Sequence, residues 1–118
     1  MPTINSGSYT ILSLDIQTSA IITQTCGTIL INGSMGTISG NYNQSGGYFF
    51  IDNKPVTVNT GGQINLSGSA TFRMAKDLSS NPQQILTING SLVQNGGTLA
   101  AKDFIIGSGA NYTFSGTV

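Results

Sequence analysis

The chain has no histidine, no tryptophan and no glutamate, and among its 118 residues there is one cysteine, Cys26. Without histidine a Ser–His–Asp triad cannot be assembled, and the nucleophile-elbow pattern Gly-x-Ser-x-Gly is absent as well. One thiol and four dispersed aspartates, Asp15, Asp52, Asp77 and Asp103, spell out neither a zinc nor a calcium ligand set. No metal, no cofactor and no enzymatic activity is therefore expected. A lone cysteine also excludes an internal disulfide framework, and Cys26 reads as a small buried thiol. Charge is scarce too, at 7% of residues with a formal net charge of zero. Four scattered cations, Lys54, Arg73, Lys76 and Lys102, cannot neutralise a row of phosphates, so nucleic acid is not an expected partner. No apolar run approaches bilayer length, so no membrane partner is expected. The opening "MPTINSGSYT" has neither the basic nor the apolar region of a secretory signal.

What fills the chain is Ile, Thr, Ser, Asn and Gly, a mixture suited to β-strands and turns and poorly suited to helices. Short phrases recur. Aligning "TILS", "TISG", "QINLSG", "TING" and "TFSG" puts Ile11, Ile38, Ile64, Ile88 and Phe114 in one phase. Their spacings of 27, 26, 24 and 26 residues predict a repeat of about 25. Two further apolar clusters keep step within each interval, as in Tyr48 to Phe50 and in Val56 with Val58. Three short strands per repeat, separated by Gly- and Asn-bearing corners, describe one coil of a parallel β-helix. A single coil cannot bury its apolar residues, but stacked coils share a core.

The fold class expected is thus all-β, a short right-handed parallel β-helix forming one domain over 1–118. Within it, 1–9 reads as an N-terminal arm and 10–118 as coils. The alternative is an antiparallel β-sandwich or jelly roll, because "NG" at 32–33, 89–90 and 95–96 is a hairpin signal. Ile11, Ile38, Ile64, Ile88 and Phe114 are expected in one inward row, and Ser39, Asn65, Asn89 and Ser115 in a polar ladder one step along. "RMAKDLSSNPQQ", residues 73–84, breaks the pattern with three charges and Pro82, and reads as a loop bulging from a coil. Tyr9, Tyr42, Tyr48 and Tyr112 share no phase, and packing in the core or at coil ends is their expected use.

The charges do share a phase. Asp52, Asp77 and Asp103 are 25 and 26 residues apart, and Lys54, Lys76 and Lys102 accompany them in "DNK", "AKD" and "AKD". Stacked acids of this kind can serve paired-carboxylate hydrolysis, but interleaved lysines neutralise such a row. The expectation is a mixed-sign corner rather than a catalytic site. Asp52, Lys54, Arg73, Lys76, Asp77, Lys102 and Asp103 are the candidate docking residues. Five Asn-x-Ser/Thr sequons are expected by composition alone in so Asn- and Ser-rich a chain.

Phrases such as "LTINGSLVQNGGTL" give the chain its resemblance to the Gly/Asn/Ser/Thr-rich right-handed β-helices of adhesin and autotransporter passengers and of tailed-phage virion proteins. The resemblance covers most of residues 10–118 and transfers no functional residue. It implies a non-enzymatic structural protein. The first expectation is a tailed-phage capsid decoration (cement) protein located in the virion. Its expected partners are its own copies, as a trimer, and a larger protein such as a major capsid protein. The alternative is an adhesive or carbohydrate-binding module of a surface or tail-spike protein, extracellular or at the cell surface.

Overall fold

A computed structural model of the chain describes residues 3–52 and 54–116, with the side chains of 34–36 left out. Among the described residues fourteen strands follow one another without a helix. They are β1 (Thr3–Ile4), β2 (Ser8–Ile16), β3 (Ile21–Gln24), β4 (Thr28–Ile38), β5 (Asn41–Gln44), β6 (Tyr48–Ile51) and β7 (Val56–Val58). The second half of the chain supplies β8 (Gln63–Leu66), β9 (Thr71–Arg73), β10 (Ile85–Ile88), β11 (Ser91–Gln94), β12 (Thr98–Ala100), β13 (Asp103–Ile106) and β14 (Asn111–Phe114). Every strand pairing among them is parallel, which rules out the sandwich and jelly-roll alternatives. The chain is a parallel β-solenoid of about five turns.

Each turn contributes three short strands to three stacks. The first stack is a six-stranded sheet in the order β1-β3-β5-β8-β11-β14. The second stack runs β4-β6-β9-β12 and the third β4-β7-β10-β13, and both begin from β4 because that strand runs on around the corner between them. Beneath β4 lies β2, whose register shifts twice against it where the two strands bend together.

The turn length differs from the expected 25. Ile21 pairs with Asn41 and Ser91 with Asn111, so the basic coil is 20 residues. Asn41 pairs with Gln63 and Gln63 with Ser91, so the two middle coils are 22 and 28. The longest coil owes most of its excess to the loop before β10. Phe50 pairs with Arg73 and Val56 with Leu86, so a six-residue step in one coil becomes thirteen in the next. The loop expected at 73–84 is there, and it is an insertion into an otherwise 20-residue coil.

The expected single row of Ile11, Ile38, Ile64, Ile88 and Phe114 is overturned by this register. Ile38 stacks with Val58, Ile88 and Ile106 in the third stack. Ile64 lies in the first stack between Tyr42 and Leu92, and Phe114 lies there beside Gln94. Ile11 pairs with Ile31 in the second. Strands of the first and third stacks both end in a polar residue and a tight glycine turn, so the same short phrase marks two different sides of the coil. The polar ladder is likewise real with other members. Asn59 donates to Ser39 Oγ at 3.0 Å on one corner, and Asn65 donates to Asn43 Oδ1 at 2.7 Å on the outer face of the first sheet. The segment expected as an arm already supplies β1 and the start of β2 to the first coil.

The core is the alternate side of every strand. The second stack buries Ile29, Phe49, Phe72 and Leu99 one above another, with Phe49 and Phe72 stacked at 4.9 Å between centroids. Burying a side chain of this size contributes roughly 1.5–3 kcal/mol. In the first stack the inward row is partly polar: Gln24, Gln44 and Gln94 are buried, with Leu66 between the last two. Each of these glutamines reaches the corner that follows it. Gln24, Gln44 and Gln94 donate from Nε2 to the carbonyls of Gly27, Gly47 and Gly97 at 3.1, 3.0 and 3.2 Å. Two of them also reach the next coil, Gln24 to Tyr48 O and Gln44 to Thr71 O, both at 3.0 Å. A buried amide thus replaces the water that corner carbonyls would otherwise need. Tyr42, buried beside this row, donates its hydroxyl to Gln24 Oε1, and burial pushes its pKa well above the ordinary phenol value. Cys26, expected buried, is exposed, because it stands at such a corner, outside the inward row.

Candidate docking site

The candidate residues gather around one corner of the solenoid, between the ends of β6, β9 and β12 and the starts of β7, β10 and β13. Asp52 and Lys54 belong to this corner in one coil, the inserted loop 74–84 occupies it in the next, and Lys102 occupies it in the third, with Asp103 opening β13. Lys54, Lys76, Lys102 and Asp103 are exposed, while Asp52, Arg73 and Asp77 are half-buried. The corner is therefore shared as expected, but the insertion removes the row. Phe50 pairs with Arg73 and Arg73 with Ala100, which carries Asp52 to the level of Ala75 and Lys102, whereas Asp103 pairs with Ile85. The three aspartates do not stack.

The loop is built by its own charges. Asp77 Oδ1 accepts four hydrogen bonds, from the backbone N–H and hydroxyl of Ser79 at 2.9 and 2.8 Å and of Ser80 at 2.9 and 3.0 Å. This Asx-type turn is what Asp followed by serines encodes. Arg73, at the end of β9, reaches across and donates from Nε to Asp77 O at 3.2 Å and from Nη2 to Ser80 O. The loop returns at Gln84, whose carbonyl accepts the backbone N–H of Lys102 at 2.9 Å. Met74 and Ala75 are buried beneath it.

Two depressions flank the loop. On one side Asp52, Met74, Ala75, Lys76, Ser80, Asn81 and Gln83 line a cleft of about 400 Å³. Asp52 and Lys76 thus meet in one cleft although 24 residues separate them in sequence. On the other side Tyr48, Phe50, Asp77, Leu78 and Ser79 line a groove of about 480 Å³. Sequence reasoning missed the second depression. Tyr48 and Phe50 are the outward residues of a strand whose inward residues are Phe49 and Ile51, and a run of four apolar letters hides which two face out. Nor did the loop's reach back to β6 carry any local signal. Among the described residues no three Cys or Asp side chains come together as a metal site, and no helix is long and apolar enough to cross a membrane.

The hydroxyls and amides of Ser79 and Ser80 hold the Asp77 carboxyl below the ordinary carboxylate range. A depressed pKa means that the turn is favoured above the ordinary value and is lost as pH falls through the lower value Asp77 has in the fold. The amide resonances of Ser79 and Ser80, followed by NMR, are expected to titrate together with a midpoint below about 3.9, the free aspartate value. A midpoint at or above that value contradicts the capping geometry.

No family model matches the chain, and neither a curated protein nor a solved structure matches it.

Proposed function

We propose that the protein is a non-enzymatic structural module that docks onto a larger protein assembly through the charged corner and its loop. The surface of a tailed-phage capsid, where it would act as a decoration protein, is the setting its sequence resemblance favours. One observation carries the reading. Seven of the eight charged residues surround a single corner of the solenoid, and the remaining one, Asp15, lies on β2. The first sheet, by contrast, carries no charged residue on any of its six strands. Charged groups at the rim of an interface steer encounter and fix register.

Self-association as a trimer belongs to the same proposal. It is favoured by Tyr9 and Ile11 at one end of the stack and Tyr112 and Phe114 at the other, all exposed beside parallel strand edges. Particles purified from the source and analysed by mass spectrometry are expected to contain the chain. Recombinant protein is expected to cosediment with those particles. Replacing Lys54, Lys76 and Lys102 by alanine is expected to weaken cosedimentation while leaving the fold intact, since none of the three holds the loop. Undiminished cosedimentation of that variant removes the corner from the interface, and absence of the chain from particles removes the virion setting. Light scattering that finds only monomer at tens of micromolar, roughly the range of weak interfaces, removes the trimer.

A further inference from the structure

We propose that the groove between β6 and the inserted loop is a saccharide-binding site, which takes a pyranose ring against Tyr48 and Leu78 and its hydroxyls on Asp77 and Ser79. The groove of about 480 Å³ falls in the size range of small-molecule sites. Its two walls differ in chemistry. One is apolar: the rings of Tyr48 and Phe50 stack at 5.7 Å with planes 10° apart, and Leu78 extends the wall from the loop. Tyr48 and Leu78 are 41% and 58% exposed, so this apolar surface is open to a ligand. The other wall carries the Asp77 carboxylate and Ser79. All four donors from Ser79 and Ser80 converge on Asp77 Oδ1, and Oδ2 accepts none of them. A pyranose has the matching division, a face of C–H groups and a rim of hydroxyls, and an ionised carboxylate oxygen is a strong acceptor for such hydroxyls.

Both walls are held in place before any ligand arrives, which lowers the cost of binding. Tyr48 donates its N–H to Gly27 O at 2.9 Å, and its carbonyl accepts from the buried Gln24 at 3.0 Å. The loop is fixed by Arg73 on the carbonyls of Asp77 and Ser80. That same guanidinium decides between ligand classes. A carboxylate beside aromatic rings also suits a cation, but Arg73 already places a fixed positive charge in this loop. A second cation would meet that charge, whereas a neutral polyol would not.

The site uses Tyr48 and Leu78, which the docking proposal does not, so either can fail alone. The test is an NMR titration of the full chain with methyl glycosides of glucose, galactose, mannose and N-acetylglucosamine, each to about 50 mM, a range that detects millimolar sites. N-acetylarginine methylamide serves as the cationic probe. Saturable shifts at Tyr48, Phe50, Leu78 and Ser79 with at least one glycoside are expected. They should weaken by at least roughly fivefold in Tyr48→Ala and in Leu78→Ser, a change of about 1 kcal/mol or more. Because both side chains are exposed, resonances remote from the groove should stay in place in these variants. The Lys54, Lys76, Lys102 triple variant should bind as the parent does. No saturable shift with any glycoside, shifts confined to other surfaces, or tighter binding of the arginine probe at these residues overturns the proposal.

Discussion

Ile64→Asp and Ile88→Asp are each expected to abolish cooperative folding. Both side chains are fully buried, Ile64 in the first stack and Ile88 in the third. A carboxylate at either place lies among apolar neighbours: Tyr42 and Leu92 stack on Ile64, and Val58 and Ile106 on Ile88. No cation points into the core to pair with it, because the chain's few cations are exposed or, like Arg73, committed to loop carbonyls. Such a charge costs several kcal/mol even after its pKa rises to neutralise it. A domain of this size has about 5–15 kcal/mol of total stability, so a loss of that size leaves little. Lys102→Ala, at an exposed corner, should stay within about 0.5 kcal/mol of the parent. Thermal melts followed by circular dichroism check all three. A cooperative melt of either aspartate variant near the parent's temperature would show that its position is not in the core.

The comparison of Ile64 with Ile88 shows what the sequence disclosed and what it hid. That both are buried, that the strands are short and stacked in parallel, and that 73–84 leaves the coil were all legible, since each follows from local alternation or from turn residues. The side of the coil was not. Ile38 and Ile88 are 50 residues apart in one stack, and so are Ile64 and Phe114 in another, so the apparent 25-residue period is half of a two-stack pattern. The insertions blurred the true 20-residue step exactly where it would have been easiest to count, between Gln44 and Gln94. The better signal was the glutamine. Gln24, Gln44 and Gln94 each stand three residues before a glycine of positive φ (Gly27, Gly47 and Gly97), and the first two are 20 residues apart. An amide in an inward position has one use in such a fold, to satisfy corner carbonyls, and that requirement is stricter than the preference for an isoleucine.

The candidate site was half legible for a related reason. Charge in a chain with so little of it marks a corner, and the seven docking residues do meet at one. Their pairing depends on register, which a seven-residue insertion shifts without leaving a trace in composition. The outward pair Tyr48 and Phe50 depends on knowing which residues of "YFFI" face the core, and only the neighbouring coils settle that.

Gly47→Val is expected to be as damaging as a buried charge, for reasons of space rather than solvation. Gly47 has φ of +75°, a conformation that costs a side-chain-bearing residue roughly 1–2 kcal/mol by itself. A Cβ built there would also lie 2.5 Å from Gly27 O and 2.7 Å from the Cys26 carbonyl carbon, backbone atoms of the coil beneath. Those atoms cannot retreat without opening the stack, because Gly27 O accepts the N–H of Tyr48 and Gly47 O in turn accepts that of Thr71. Gln44, which donates to Gly47 O and Thr71 O, would lose both partners as the corner moved, leaving a buried amide to desolvate. Two controls separate the contributions. Gly61 has φ of +88° with open space around it, so Gly61→Ala should carry the backbone strain alone, about 1–2 kcal/mol. Gly62 has no positive φ, but its Cβ would strike Ile38 O and the Asn59 carbonyl, so Gly62→Ala should carry the collision alone. The expected order of loss in urea unfolding is Gly47→Val, then Gly62→Ala, then Gly61→Ala, with the first at about 4 kcal/mol or beyond. A Gly47→Val protein as stable as the Gly61→Ala control would mean that the coils do not meet at this corner as closely as described.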